Sequence, residues 1–223
     1  MKVVVLIPLR GGSKSIPYKN IKLIAGKPLC YWLCLAASGA KGVDEVYVST
    51  DDKKIKDTVL SFGLGVKVID RPAEFAGDKS TTDSVMLHFM EEVSDFDLLI
   101  TGQATSPLTL SEEIDSALDY FKKNNLDSLL TAVRIKRFFW TEGGKPINYD
   151  YKNRPMRQDF DGWLMENGAF YITKKDTLKK EKNRLGGKIG VFEMREEAGI
   201  ELDEPLDWVI LENLLLKEQA ETN

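Results

Sequence analysis

The sequence predicts an α/β fold, a doubly wound and mostly parallel sheet that carries a small arm. Three observations predict it. Apolar, β-branched runs alternate with helical periods from residue 1 to residue 133. The first run, 3–9, is apolar without a break, as a strand buried on both faces requires. Polar loops follow several of the runs, where such a sheet presents its carboxyl ends.

Each element has its own warrant. After the strand at 3–9, residues 28–38 (PLCYWLCLAAS) read as a buried helix opened by Pro28. Residues 43–49 form a strand. Residues 51–62 form an amphipathic helix with an acidic first turn, ended by Gly63. A short strand at 66–69 precedes a helix at 82–93, whose apolar stripe is Val85, Met86, Phe89, Met90 and Val93. A strand at 96–101 leads to a helix capped by Ser111 that runs to Asn124, with Ile114, Leu118 and Phe121 inward. A strand follows at 128–133. The pattern stops at 134–162, which is rich in charges, aromatics, Gly and Pro. That length of aperiodic chain is unusual inside a domain and reads as a hairpin arm leaving the sheet. Strands at 169–173 and 188–194 and a helix at 205–217 complete the chain.

The 223 residues suit one domain or one domain with an appendage, able to bury roughly 70% of its unfolded surface. A net charge of −4 and no long basic block argue against nucleic acid and against a membrane arm. Cys30 and Cys34, four apart on one helix, read as buried thiols of a reducing compartment. The single histidine, His88, flanks an apolar stripe and reads as structural or surface. The apolar run at the N-terminus is too short for a signal peptide, and no run reaches the roughly 20 residues of a membrane helix. The expected location is cytoplasmic.

The stretch 7–20, IPLRGGSKSIPYKN, breaks from strand into Gly11 and Gly12 with Arg10, Lys14 and Lys19 around them, and Lys22 just beyond. It lacks the spacing of a Walker A loop, and no G-x-G-x-x-G occurs. What remains is a loop whose backbone N–H groups and cations suit a small anion such as phosphate, or else a solvated loop with surface lysines. Three further polar loops share the carboxyl ends: 50–52, 103–106 and the acidic turn 201–207. Asp51 and Asp52 also stand where a helix start favours carboxylates.

Here the chain resembles a known family. IPLRGGSKSIPYKNI is similar to the IPARGGSKGIPxKNI opening of the nonulosonate cytidylyltransferases, the CMP-sialic acid synthetases. VSTDD (48–52), RPAEFAGDKSTT (71–82), QATSPL (103–108), RQDF (157–160), ENGAFYI (166–172), GGKIGVFEM and IELDEPLDW resemble further family segments in the same order. The resemblance implies a Rossmann-like nucleotidyltransferase fold, with 1–223 a single cytidylyltransferase domain and 134–162 a dimerisation arm. It implies transfer of CMP from CTP to an acidic nine-carbon sugar. Arg10, Gly11, Gly12, Ser13, Lys14, Lys19 and Asn20 would hold the nucleotide phosphates, with Ser80 and Thr81 near cytosine and ribose. Arg10, Lys14 and Asp203 would serve catalysis. Gln103, Thr105, Ser106 and Asn167 would face the sugar, and Arg157 with Gln158 its carboxylate. Mg²⁺ would sit on Glu201, Asp203 and Asp207. Lys136 and Arg137 would join Arg157 as arm cations that serve the partner subunit of a homodimer.

The chain departs from the family's pattern at Glu201-x-Asp203 in place of D-x-D, at Pro107-Leu108-Thr109 in place of PLR, and at Ser15 in place of glycine. Glutamate still ligates Mg²⁺, though from a longer stem. Attack by a sugar hydroxyl on the α-phosphorus of CTP needs charge neutralisation more than a histidine base. The sugar carboxylate calls for the planar fork of an arginine. The expected acceptor is an N-acetylneuraminate or Kdn type acid; legionaminic acid, pseudaminic acid and Kdo are the alternatives. A nucleotide-binding module without turnover is the reading from a different class.

Overall fold

In the computed structural model, which describes residues 1–12 and 16–222, the first apolar run becomes β1 (Val3–Pro8). A short hairpin, β2 (Leu23–Ile24) and β3 (Lys27–Pro28), leads into α1 (Leu29–Gly39). There follow β4 (Glu45–Thr50), α2 (Lys53–Leu60), β5 (Lys67–Asp70), α3 (Thr82–Glu92), β6 (Leu98–Gly102), α4 (Ser111–Lys123) and β7 (Ser128–Ile135). The chain closes with β8 (Trp163–Lys174), α5 (Lys175–Glu181), β9 (Ile189–Met194) and α6 (Pro205–Thr222).

The sheet order is β5-β4-β1-β6-β8-β7-β9. Pairs β1–β4, β1–β6, β4–β5 and β7–β9 are parallel, while β8 runs antiparallel to both β6 and β7. The sheet is therefore mostly parallel, as the sequence predicts. The pleat of β1 shows why its run is unbroken. Val3, Val5 and Ile7 pack with α1, α2 and α4 on one face, and Val4 and Leu6 pack with Val85, Met86 and Phe89 of α3 on the other. Ile24, Leu29, Leu108 and Leu202 form a third cluster with Trp208, Leu211 and Leu215 of α6.

Several expectations are corrected. Ser111 does not cap α4. It is the first helical residue, and its Oγ donates to the Ala36 carbonyl at 2.8 Å. Glu113 reaches back instead to accept from the Leu110 N–H at 3.1 Å. The first turn of α2 carries no acid, because Asp52 is its cap and accepts from the Ile55 N–H at 2.9 Å. The strand expected at 169–173 starts at Trp163, since its first half pairs with β7 out to Ile135. Helix α5 went unread because its only buried residue is Leu178. His88 is buried, with Nε2 3.9 Å from Glu92 and its ring 5.0 Å from that of Phe75. Cys30 and Cys34 are buried free thiols, and burial pushes Cys30 up to about 12.

The segment between β7 and β8 is a hairpin-like excursion. Trp140 bridges Pro146, and Phe138, Tyr149 and Phe160 pack together under the Arg154 guanidinium. Trp140, Ile147, Tyr151, Met156 and Trp163 remain exposed there.

Candidate active site

Strands β1 and β6 are neighbours, and their connections leave in opposite directions along the sheet. That is the switch point at which such sheets open a crevice beyond their carboxyl ends. A cavity of about 420 Å³ lies there. The chain beyond β1 supplies Arg10, Lys19 and Asn20, the chain beyond β5 supplies Arg71, Phe75, Asp78, Ser80 and Thr81, and the loop after β6 supplies Gln103 and Thr105.

The structure thus brings together most residues expected at a nucleotide. Arg10 reaches toward Asp78 at 3.4 Å, and its carbonyl accepts from Asn20 Nδ2 at 3.1 Å. Gly11 donates its N–H to Asp51 Oδ1 at 3.0 Å. A Cβ at Gly11 would stand 2.9 Å from Asp52 Cβ, so this close approach needs glycine. Gly12 has open space around it. Ser13 and Lys14 lie outside the described residues. Thr81 caps α3 through the Ser84 N–H, and the Ser80 hydroxyl donates to the Glu74 carbonyl.

Arg71 lines the cavity and is a residue that sequence reasoning missed. Its guanidinium is buried, with Nε donating to Ser49 Oγ at 3.0 Å and Nη2 to the Ser49 carbonyl. Burial pulls it down to about 10, against the opposing pull of Asp51, and Arg10 lowers it further. A buried cation facing a polar cavity is poised for an anion, because its desolvation is already incurred. The available signal was a cation directly after a parallel strand.

The acidic turn borders this cavity. Leu202 is fully buried; its N–H donates to the Thr105 carbonyl at 2.9 Å, and its own carbonyl accepts from Lys19 Nζ at 3.0 Å. Lys19 also lies 4.0 Å from Asp203. Burial lowers its ammonium from the ordinary range, with Asp203 opposing. Burial raises Glu201, and the negative charges of Asp203 and Glu166 raise it further. Two oxygen donors crowded by like charge suit a hard cation that takes its other ligands from phosphate and water. Among the described residues no three His, Cys, Asp or Glu side chains gather as a metal site. Asp207 is committed elsewhere, since its Oδ2 accepts from the Asp203 and Glu204 N–H groups at 3.0 and 2.7 Å.

Four expected substrate residues are placed apart from the cavity. Asn167 is fully buried and donates Nδ2 to the Ala198 carbonyl at 2.8 Å, which fixes a turn rather than a ligand. Ser106 is buried inside the loop and closes a turn through its N–H to the Gln103 carbonyl. Arg157 lines a second cleft of about 400 Å³ at the base of the excursion, with Arg134, Lys136, Arg137 and Arg195. Gln158 is exposed and touches Met156 Sδ at 3.1 Å.

Comparison with known proteins agrees with this fold. A family model described as Cytidylyltransferase matches residues 4–221. The N-acylneuraminate cytidylyltransferase of Oncorhynchus mykiss is 37% identical over 222 residues, covering 96% of this chain and 50% of that protein. The CMP-N,N'-diacetyllegionaminic acid synthase of Legionella pneumophila is 27% identical over 226 residues, covering 96% of this chain and 97% of that protein. The chain spans about half the length of the N-acylneuraminate cytidylyltransferases that it matches. A solved CMP:2-keto-3-deoxy-manno-octonic acid synthetase complexed with CTP shares the fold, with a TM-score of 0.76 at 21% identity, covering 98% of this chain and 100% of that one. Among the described residues no helix is long and apolar enough to cross a membrane.

Proposed function

This chain belongs to the cytidylyltransferase family, and from that premise we propose that it transfers CMP from CTP to the anomeric hydroxyl of a nine-carbon 2-keto acid sugar, of the N-acetylneuraminate or Kdn type, with release of pyrophosphate. The observation that carries the reading is the cationic cavity at the switch point with the acidic turn pinned to its edge. Arg10, Arg71 and Lys19 would take the charge of the triphosphate and of the developing pyrophosphate, and Ser80 and Thr81 the nucleoside end. Gln103 offers the donor and acceptor that a polyol needs. Glu201 and Asp203 would hold Mg²⁺, which when bound supplies charge neutralisation at the phosphates.

Among the described residues, the cations that line the cavity are Arg10, Lys19 and Arg71, and this reading gives all three to the phosphates. The fork for the sugar carboxylate is assigned to Arg157, with Lys136 and Arg137, delivered from the arm of a partner subunit. The chain is accordingly taken as one catalytic domain over 1–223, with 134–162 the arm of a cytoplasmic homodimer.

The test is pyrophosphate release from CTP and Mg²⁺ with Neu5Ac, Kdn, legionaminic acid, pseudaminic acid and Kdo in separate reactions, each with an EDTA control. Strong release with Neu5Ac or Kdn supports the proposal. Binding of CTP without release in any tube would overturn it in favour of a non-catalytic module. A second reading, with legionaminic acid as acceptor, rests on the 27% identity to the Legionella relative over 226 residues.

A further inference from the structure

We propose that Asp51 is a positioning residue for the nucleotide site, holding the turn that follows β1 through the Gly11 N–H; this rests on the reading of the cavity as a CTP site. Two aspartates follow β4 side by side, and the structure gives them different work. Asp52 caps α2 through the Ile55 N–H. Asp51 has no part in that cap. Its Oδ1 instead crosses 40 residues of sequence to accept from Gly11 at 3.0 Å.

Among the described residues, the contact is one of three backbone contacts that hold the chain as it leaves β1. The Leu9 N–H donates to the Ser49 carbonyl at 2.9 Å, and the Arg10 carbonyl accepts from Asn20 Nδ2 at 3.1 Å. Together they set the backbone on both sides of Arg10, so the direction of its side chain depends on all three. The Ser49 carbonyl that accepts from Leu9 also accepts from the buried Arg71. The end of β4 therefore holds Arg71 directly, at Ser49, and the backbone next to Arg10 through Asp51 and Gly11.

A carboxylate beside a phosphate site is unfavourable on charge alone. Its presence calls for a compensating role, and the structure offers two. It accepts a backbone N–H that otherwise has no partner among the described residues, and its negative charge favours the buried Arg71 against the like charge of Arg10 at the same cavity. Electrostatics without positioning makes the opposite prediction, because removing the carboxylate would then tighten binding of a triphosphate.

The experiment measures binding of CTP and of cytidine by calorimetry, on the full chain and on Asp51→Asn and Asp51→Ala, with thermal unfolding as the check on folding. Steady-state KM and kcat for CTP complete it. Asparagine keeps an acceptor for Gly11 and should bind CTP within about threefold of the parent, whereas alanine should weaken CTP by about fivefold to tenfold. Cytidine binding should change little in either variant, and the kinetic loss should fall on KM rather than kcat. An alanine variant that binds CTP as tightly as the parent, or more tightly, overturns the inference, and so does an asparagine variant as weak as alanine. A parent chain that binds no CTP at all would instead overturn the reading of the cavity.

Discussion

Gly162 stands where the excursion returns to the sheet as β8, with φ +74, and alanine there tests how firmly the arm is fixed. A Cβ would lie 2.4 Å from the carbonyl oxygen of Ile135, the last residue of β7, and 3.1 Å from its carbonyl carbon. Two costs follow. The left-handed backbone costs an L-residue about 1–2 kcal/mol. Forcing a methyl group against a backbone atom costs about 1–3 kcal/mol, because a main-chain oxygen in a sheet cannot swing aside as a side-chain tip can. The loss of unfolded-state freedom returns about 0.4–1 kcal/mol. The net destabilisation is about 2–4 kcal/mol, or roughly 5–15 °C in Tm for a chain of this size. Urea unfolding of Gly162→Ala, read as a shift in midpoint at constant slope, measures it. Gly162→Asn divides the two causes: asparagine tolerates the left-handed region but carries the same Cβ. Equal losses in both variants mark the clash as dominant, and a milder asparagine variant marks the backbone. An alanine variant within about 0.5 kcal/mol of the parent would refute the reasoning, since that is the scatter of ordinary surface changes.

Of three other predictions, two concern the site and one the stability of the fold. Arg10→Ala should lower kcat/KM for CTP by at least about tenfold, the loss of one charge-assisted contact, while the fold survives; near-normal turnover would remove Arg10 from the site. Asp83, at the start of α3, accepts from Arg184 through N at 2.9 Å, Nε at 3.1 Å and Nη2 at 3.0 Å. Burial pushes its carboxyl up, but the bonds to Arg184 outweigh that and hold it below the ordinary aspartate value. The stabilisation is therefore present above the unfolded value and lost as pH falls through the folded one. Asp83→Asn should cost about 2–3 kcal/mol at pH 7, at the low end for a buried pair because both side chains keep about a fifth of their exposure. That difference should shrink below about pH 4, and unfolding at the two pH values checks it. Removing divalent cations should stop pyrophosphate release and Mg²⁺ should restore it, and Glu201→Gln should raise the Mg²⁺ required by at least about tenfold; an unchanged Mg²⁺ requirement would take Glu201 out of the metal set.

The alternating half of the molecule was legible because burial writes itself as period. A strand covered on both faces has no polar positions to spare, and β1 obeys that rule residue by residue. Strand direction leaves no such mark, so β8 running against its neighbours could not be read from 169–173. Helix α5 shows the limit from the other side, since one buried leucine gives no stripe to detect. At the cavity, placement was legible where residue type and loop position coincide, as at Arg10, Lys19 and Gln103, which all line it. It was not legible where two like residues share a loop. Only the folded geometry separates Asp51 from Asp52, and burial is what sets Arg71, marked in sequence only by its place after β5, apart from the many surface cations. Asn167 misled for the same reason: an amide suited to a polyol is equally suited to a buried carbonyl.

Arg157 raises the remaining question of place. Within one chain it lies at the arm's own cleft with Lys136 and Arg137, whereas Gln103 and Thr105 line the cavity at the switch point. Arg10 and Arg71 line the cavity with Gln103, but the proposed reading gives both to the triphosphate, so a sugar carboxylate bound beside Gln103 still needs a fork of its own. The proposed dimer resolves this by exchange, and exchange has a consequence that a site built within one chain lacks. In a mixture of Arg10→Ala and Arg157→Ala chains, half of the randomly assembled dimers are mixed. Each mixed dimer then holds one site with an intact Arg10 from one protomer and an intact Arg157 from its partner. Counting sites gives about a quarter of the parent activity regained on mixing. Two variants defective within one chain would regain nothing, because every site would still carry one of the two losses. Pyrophosphate release after co-incubation therefore decides it: recovery above the average of the separate variants places Arg157 in the partner's site, and no recovery, with subunit exchange verified by light scattering on tagged chains, removes it from there.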